Sequence, residues 1–295
     1  MIAESAANLR KGWCPMPGDA TTDAVSTPEL AEVFDRAAPR YDRTGVRFFG
    51  PIGARLVAGL DLRPGEDVLD VGCGQGACTV PAARAVAPGG SVIGIDVAPA
   101  MVEGARAELA DEGLTNAEVR VGDAATPGFA PARFDAVVAG LVMFMLPDPA
   151  DAAARYRRLL RPGGRFAMTT FGADDPAFFH VTDAVVPYVD GGMPPVPGRT
   201  DNPLRSKEGI QRLLRDAGFA DTRIEDETLD LEFTDPRQWW AWLWQTAGRM
   251  VLERVPAERL GEARAAAEAR MEEVAADRGR LVVHWNVWYS YATAG

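Results

Sequence analysis

The stretch VLDVGCGQG, Val68–Gly76, decides the fold of this 295-residue chain. A short apolar run passes directly into three glycines, Gly72, Gly74 and Gly76. A bounded apolar run of this length indicates a buried strand, and the glycines permit a tight turn in which a ligand can approach the backbone. The helix predicted next, over residues 78–86, directs its first N–H groups toward such a ligand. The stretch therefore predicts a strand, a ligand-binding loop and a helix.

An acidic residue follows the glycine loop at the spacing at which nucleotide-binding α/β proteins carry a ribose-binding carboxylate. Asp96 ends the next predicted strand, residues 91–96, twenty positions after Gly76. A carboxylate there can accept hydrogen bonds from both ribose hydroxyls of an adenosine cofactor. A plain structural turn and a dinucleotide site are the alternatives, but a dinucleotide loop places its third glycine one position later. The GxGxG spacing favours S-adenosylmethionine (SAM), whose aminoacyl tail the loop backbone can accommodate.

Strands and helices alternate on both sides of this unit. Such alternation predicts a mostly parallel, doubly wound α/β sheet with right-handed crossovers. The further strands predicted in the first half are residues 117–121, 134–139 and 165–171, with helices over 99–112 and 149–160. In the second half the expectations are an irregular insertion or short helices over 172–205, a helix over 206–217 and one extended strand or two short ones over 219–233. Helices over 235–255 and 257–278 and a final strand over 281–291 are expected to follow.

Composition narrows the classes of partner. There are 31 Lys and Arg against 42 Asp and Glu, a formal net charge of −11. An acidic surface repels phosphate backbones and anionic lipid, so we expect neither nucleic acid nor membrane as a partner. The three cysteines lack the spacing of a disulfide framework or a zinc site, and no metal is expected. With no signal-peptide pattern and no long apolar run, the chain is expected to be cytoplasmic.

Five motifs in order resemble those of class I SAM-dependent methyltransferases. They cover residues 66–172 and are DVGCGQG, VIGIDVAPAMVEGAR with Asp96, GDAATPGF with Asp123, FDAVVAGLVMFMLPDP and LLRPGGRFAMTTF. The resemblance implies a Rossmann-like, seven-stranded, mostly parallel sheet with an N-terminal helical lid and late helical insertions. It implies SAM as the cofactor and S-adenosylhomocysteine as the product. The cofactor-binding residues that it implies are Tyr41, Asp70, Gly72, Cys73, Gly74, Asp96, Val97, Met101, Asp123, Ala124, Gly140 and Leu141.

The resemblance extends upstream of the glycine loop. VFDRAAPRYDRTGVRFFGPIGARL resembles the lid of ubiquinone/menaquinone-type and actinobacterial small-molecule methyltransferases, in which Tyr41 would lie against the methionine end of SAM. The alternative for Tyr41 is a helix-packing aromatic residue. FFGPIG, LVMFMLPDP and TTFGADDP most resemble methyltransferases of aromatic polyketide pathways, including aklanonic acid methyltransferases. The expected organisation is a loose tail over 1–27 and one methyltransferase domain over 28–295, comprising a lid (28–62), a core (63–172), an insertion (172–205), cap helices (235–280) and a final strand (281–291).

A shortage of histidine constrains the chemistry. Many similar methyltransferases carry histidine where this chain has Phe144 and Met145, and only His180 and His284 exist. His180 is the candidate general base, against the alternative of an exposed loop histidine, and His284 is expected to be structural. An acceptor that is already anionic, such as a carboxylate or an acidic phenol, fits this shortage. O-methylation is therefore favoured, and C-methylation of an enolate carbon stays open.

The acceptor is expected to be a small molecule bound among aromatic side chains. The candidate substrate-binding residues are Phe49, Phe144, His180 and Trp240. Most of the tryptophans over 239–244 are expected in the core, with one or two left to line a pocket or form a dimer contact, and a homodimer is possible. Three other activities stay open: a pseudo-methyltransferase that keeps SAM while catalysing cyclisation, a nucleic-acid or protein methyltransferase, and a non-catalytic subunit. The net charge disfavours nucleic acid, and the intact loop with Asp96 disfavours a subunit that binds no cofactor.

Overall fold

A computed structural model describes residues 27–191 and 202–295. The helices are α1 (Thr27–Ala37), α2 (Phe49–Ala58), α3 (Thr79–Val86), α4 (Pro99–Asp111), α5 (Pro149–Leu159), α6 (Pro176–Thr182), α7 (Lys207–Asp216), α8 (Pro236–Leu243), α9 (Arg249–Leu252) and α10 (Leu260–Arg278). The strands are β1 (Asp67–Val71), β2 (Ser91–Asp96), β3 (Ala117–Val121), β4 (Phe134–Ala139), β5 (Leu160–Phe171), β6 (Phe219–Glu232) and β7 (Val282–Ala294). Almost all of the expected tail, and part of the expected insertion, lie outside the described residues.

The seven strands form one sheet in the order β3-β2-β1-β4-β5-β7-β6. The pairs among β1 to β5 are parallel, and β7 runs antiparallel between β5 and β6. The predicted seven-stranded, mostly parallel α/β sheet is confirmed. Because β1 lies between β2 and β4, the order of the strands reverses there, and a crevice opens at the carboxyl ends of these strands.

Burial on both faces explains the apolar sequences of the central strands. In β1 every residue after Asp67 is buried, and in β4 every residue except Asp135 is buried. Parallel strands covered by helices on both faces read as continuous apolar runs rather than alternating ones. The helix between β2 and β3 buries one apolar face, formed by Met101, Val102, Ala105 and Leu109.

The predicted helix over residues 235–255 is wrong in one respect, since the structure has two helices there. The Asp235 side chain accepts a hydrogen bond from the Gln238 N–H and begins α8. The Gln245 amide then donates to the Ala241 carbonyl, and the Thr246 hydroxyl donates to the Leu243 carbonyl. Such local side-chain bonds compete with the backbone bonds that would continue a helix, so α8 ends and α9 begins six residues later.

Other boundaries follow the turn chemistry of the sequence. The Ser206 hydroxyl accepts from the Gly209 N–H at the start of α7, and Gly218 follows the helix with φ +89°. Serine is a favoured N-cap residue, and a left-handed glycine commonly follows the end of a helix. The expected irregular stretch contains α6, begun by the Asp175 carboxylate and Pro176. Within residues 27–191 and 202–295, no helix is both long and apolar enough to cross a membrane.

Candidate active site

A cavity of about 390 Å³ opens at the carboxyl edge of the sheet. The glycine loop and the ends of β2 and β4 form one side of it. Side chains from α1, from the segment before α2 and from the region of α8 and α9 close the other side. The site is therefore formed by the motif region, residues 66–172, together with segments that precede and follow it in the chain.

The glycine loop has left-handed backbone at each glycine. Gly72, Gly74 and Gly76 have φ values of +68°, +53° and +94°. The N–H groups of Gly72 and Cys73 both donate to the Ile95 carbonyl, at 2.8 and 3.0 Å, and fasten the loop to β2. A side chain at Gly72 would collide with Val142, whereas one at Gly74 would meet nothing within 4 Å. Gly74 thus leaves open space beside the backbone, where it lines the cavity.

Asp96 is positioned by backbone donors on both of its oxygens. One oxygen accepts from the Gly74 N–H at 2.8 Å and the other from the Ala98 N–H at 2.9 Å. Burial raises the pKa of Asp96, and these N–H groups oppose that rise. Each carboxylate oxygen retains a lone pair, so the group can accept further hydrogen bonds from two neighbouring hydroxyls in the cavity.

Asp70 carries an orphaned oxygen beneath the loop. Its Oδ2 accepts from the Thr79 hydroxyl at 2.6 Å, while its Oδ1 is buried without a partner. Burial raises the pKa of Asp70 to about 7. Asp70 and Cys73, both expected to bind the cofactor, lie behind the cavity wall rather than in it. An uncompensated carboxylate there fits a cationic group bound at the loop, as in the aminoacyl tail of SAM, whose charge would act on it through space.

The other expected cofactor-binding residues are in the cavity wall. Tyr41 stacks on Phe49 with ring centres 4.5 Å apart, and burial raises its pKa. Leu141 adopts a left-handed conformation, φ +53°, and its N–H donates to the Thr169 hydroxyl at 2.9 Å. A non-glycine residue in this region is strained, and such residues are concentrated at functional sites. The remaining members of the set in the wall are Val97, Met101, Asp123, Ala124 and Gly140.

The opposite end of the cavity is aromatic. Its rings belong to Phe48, Phe49, Phe144, Phe171, Phe178, Trp242 and Trp285, which we call the aromatic chamber. Trp285 is its centre, with ring centres 4.6 Å from Phe178 and 5.5 Å from both Phe171 and Trp242. Edge-to-face packing of this kind gives a rigid apolar wall. Phe49 and Phe144, two of the candidate substrate-binding residues, lie in this wall.

Two expected substrate-binding residues are elsewhere. His180 does not line the cavity; its Nε2 lies 2.7 Å from Glu273 Oε2, because α6 turns that side chain toward α10. Trp240 is 8% exposed and packs in the core, and Trp242 on the same helix lines the cavity instead. Thr170 and Phe171 also line the cavity and were not among the expected residues, although both lie at the carboxyl end of a parallel strand, where α/β proteins bind ligands.

The charged side chains at the far end of the cavity are already paired. Asp175 accepts two hydrogen bonds from the Arg278 guanidinium, at 2.6 and 2.8 Å, and one from the His284 N–H. Burial alone would raise the pKa of Asp175, but these donors hold it below its usual range. His284 lines the cavity, and its Nδ1 lies 2.7 Å from Asp230 Oδ1. These pairs connect α6, α10, β6 and β7.

Comparison with known proteins identifies relatives of this arrangement. Residues 62–218 match the family model described as "Methyltransferase domain". Nocamycin O-methyltransferase from Saccharothrix syringae is 40% identical over 240 residues, 77% of this chain and 85% of that protein. Aklanonic acid methyltransferase from Streptomyces sp. (strain C5) is 46% identical over 148 residues, 50% of this chain and 67% of that protein.

A solved structure shares the fold. It is phosphoethanolamine N-methyltransferase 2 from Haemonchus contortus in complex with phosphomonomethylethanolamine and S-adenosylhomocysteine. Its TM-score is 0.56 at 17% identity, over 94% of this chain and 61% of that one.

Proposed function

The chain belongs to the methyltransferase domain family, and from that premise we propose that it transfers a methyl group from SAM to an oxygen of a small aromatic or polyketide-like acid. It is a SAM-dependent methyltransferase, and the acceptor and the atom methylated are the proposed part. The observation that supports the proposal is that one cavity has the glycine loop and Asp96 at one end and the aromatic chamber at the other.

The residues of the cofactor half divide the work of binding. We propose that Asp96 accepts hydrogen bonds from the ribose hydroxyls and that the open backbone at Gly74 meets the aminoacyl tail. Tyr41, Phe34 and Leu30 cover this half from the N-terminal side, as a lid would. Bound SAM supplies a methyl group on a sulfonium sulfur, which keeps the electron pair of the breaking S–CH3 bond as the acceptor oxygen forms the new bond.

The aromatic chamber supports a flat, apolar acceptor. Stacking and edge contacts with its rings would hold an aromatic skeleton and exclude water. Holding the acceptor in a fixed orientation supplies a large part of the rate in a displacement of this kind.

Among the described residues, the one histidine in the cavity wall is already paired, which supports an acceptor that is ionised before it binds. In the described part of the wall, Phe144 stands at the position where a base was sought, and His284 and Asp175 are engaged with Asp230 and Arg278. A carboxylic acid is already ionised at neutral pH because its pKa lies well below 7, so no base of the protein is needed to remove a proton. The two named relatives, one an O-methyltransferase and one acting on aklanonic acid, support the same chemistry.

The remaining parts of the proposal concern partners and location. The net charge of −11 supports a small molecule over nucleic acid as the acceptor. The buried free thiols of Cys73 and Cys78 are compatible with the reducing cytoplasm that we propose as its location. A homodimer stays a prediction, which the elution volume in size-exclusion chromatography would test.

The test is a methylation assay with aklanonic acid and its preformed methyl ester. We expect S-adenosylhomocysteine and a base-labile methyl ester from the acid, and no product from the ester. A base-stable methylated product would show C-methylation or ether formation instead. A cyclised product formed without S-adenosylhomocysteine would refute methyl transfer and support a pseudo-methyltransferase.

A further inference from the structure

Thr170 presents a buried hydroxyl without a hydrogen-bond partner in the wall of the cavity. The residue is 1% exposed, and its Oγ1 has no partner. Its neighbour in sequence differs, since the Thr169 hydroxyl accepts from the Leu141 N–H. Buried polar side-chain atoms are almost always hydrogen-bonded, so an unpaired one at a binding cavity calls for a partner from outside the chain.

The register of the sheet places Thr170 level with Leu141, and Thr170 directly precedes Phe171 of the aromatic chamber. Ala139 pairs with Met168 in the parallel β4–β5 ladder, so Leu141 follows β4 at the level of Thr170. Phe171, the next residue, belongs to the aromatic chamber, and its ring centre lies 5.2 Å from that of Phe144. Thr170 thus stands between the cofactor half of the cavity and the aromatic chamber.

We propose that the Thr170 hydroxyl donates a hydrogen bond to the carboxylate of the acceptor and fixes the orientation of that group in the cavity. The proposal rests on the proposed function and adds a residue that the motifs do not assign. A hydroxyl suits this role because it holds a carboxylate by one directed bond and leaves the other oxygen lone pairs available.

Ser290 provides a matched control. Its hydroxyl is also buried without a partner, and it lies opposite Met168 in the β5–β7 ladder, two residues along β5 from Thr170. Ser290 does not line the cavity. A purely structural effect of deleting a buried hydroxyl from this part of the sheet would therefore appear in both variants.

The experiment compares T170V, T170S and S290A with the wild type. Valine keeps the shape of threonine and removes the hydroxyl, whereas serine keeps the hydroxyl. The readouts are kcat and KM for aklanonic acid, the Kd of SAM, and the Kd values of anthraquinone-2-carboxylate and its neutral carboxamide for the protein saturated with S-adenosylhomocysteine. Thermal unfolding of each variant establishes that it is folded.

We expect T170V to lower kcat/KM for the acid by about 10- to 100-fold, the loss that follows from one hydrogen bond to a charged group. Its affinity for the anthraquinone carboxylate should fall similarly, while its affinities for the carboxamide and SAM stay within twofold of the wild type. T170S should recover most of the loss, and S290A should match the wild type.

Two results would overturn the assignment of Thr170 and leave the proposed function standing. One is that T170V methylates the acid as well as the wild type does. The other is that T170V loses as much affinity for SAM as it loses for the anthraquinone carboxylate. If the wild-type protein forms no S-adenosylhomocysteine with any acid tested, the proposed function is overturned, and the assignment of Thr170 with it.

Discussion

Replacing Asp70 by asparagine should remove a pH dependence from the stability of the protein. In the fold, burial raises the pKa of this carboxyl from its ordinary 3.8 to about 7. Between those values the folded chain keeps a proton that the unfolded chain has lost. The free energy of unfolding therefore falls as pH rises, by about 1.4 kcal/mol per pH unit, and levels off above pH 7.

The expected change in the free energy of unfolding depends on how much of the interval between pH 3.8 and about pH 7 the experiment covers. From pH 5 to pH 8 only the two units below pH 7 contribute, so the wild type should lose about 3 kcal/mol more than Asp70→Asn. Comparing the change with pH, rather than the stability at one pH, cancels the constant cost of placing an amide next to Thr79.

The assay is urea unfolding of both proteins without SAM at four pH values between 5 and 8. Asp67→Asn is the matched control, because Asp67 begins the same strand but its pKa is lowered, with hydrogen bonds from Ser91 and Arg161 outweighing burial. Its carboxylate is ionised throughout the range in both states, so this variant should follow the wild type. Parallel curves for the wild type and Asp70→Asn would refute the reasoning.

Three further outcomes are expected. Asp96→Asn should raise the Kd of SAM by about 10- to 100-fold in calorimetry, because a charged acceptor of ribose hydrogen bonds is lost; an unchanged Kd would contradict the proposed role. Gly74→Ala and Gly113→Ala should each lower the free energy of unfolding by about 1 kcal/mol, since both residues have left-handed backbone with open space around them, but only the former should abolish SAM binding. Arg278→Met should cost about 3 kcal/mol in denaturant unfolding because it leaves the Asp175 carboxylate buried without its cation, and a loss below 1 kcal/mol would contradict that account.

Local patterns predicted the strands β2 to β4 and the glycine loop well. The bounds of β2, β3 and β4 match the expected strands, because β2 and β4 are apolar runs closed by turn residues and β3 alternates apolar with charged residues. The glycine loop and Asp96 were recognisable because their spacing is fixed by the chain itself, through one strand, one turn and one helix. Nothing from distant parts of the chain was needed to place them.

The aromatic chamber could not be predicted in the same way. Trp240 and Trp242 are both buried on α8, and only the packing of that helix decides which of them meets the cavity. His180 was expected either to face the substrate or to be an exposed loop histidine, yet it lies on α6, whose orientation brings it to Glu273 on α10. These outcomes depend on tertiary contacts that no local periodicity encodes, such as that of His180 with Glu273, which is 93 positions away in the chain.

The place of β7 in the sheet has a consequence for synthesis of the protein. This strand follows every other element described here, yet it lies between β5 and β6 and carries Trp285. A nascent chain on the ribosome can pair β1 to β5 as they emerge, but β6 has no neighbour to join until β7 is also made. The strands β1 to β5 can therefore be assembled first, whereas the part of the cavity wall that contains Trp285 is completed only after β7 has been made.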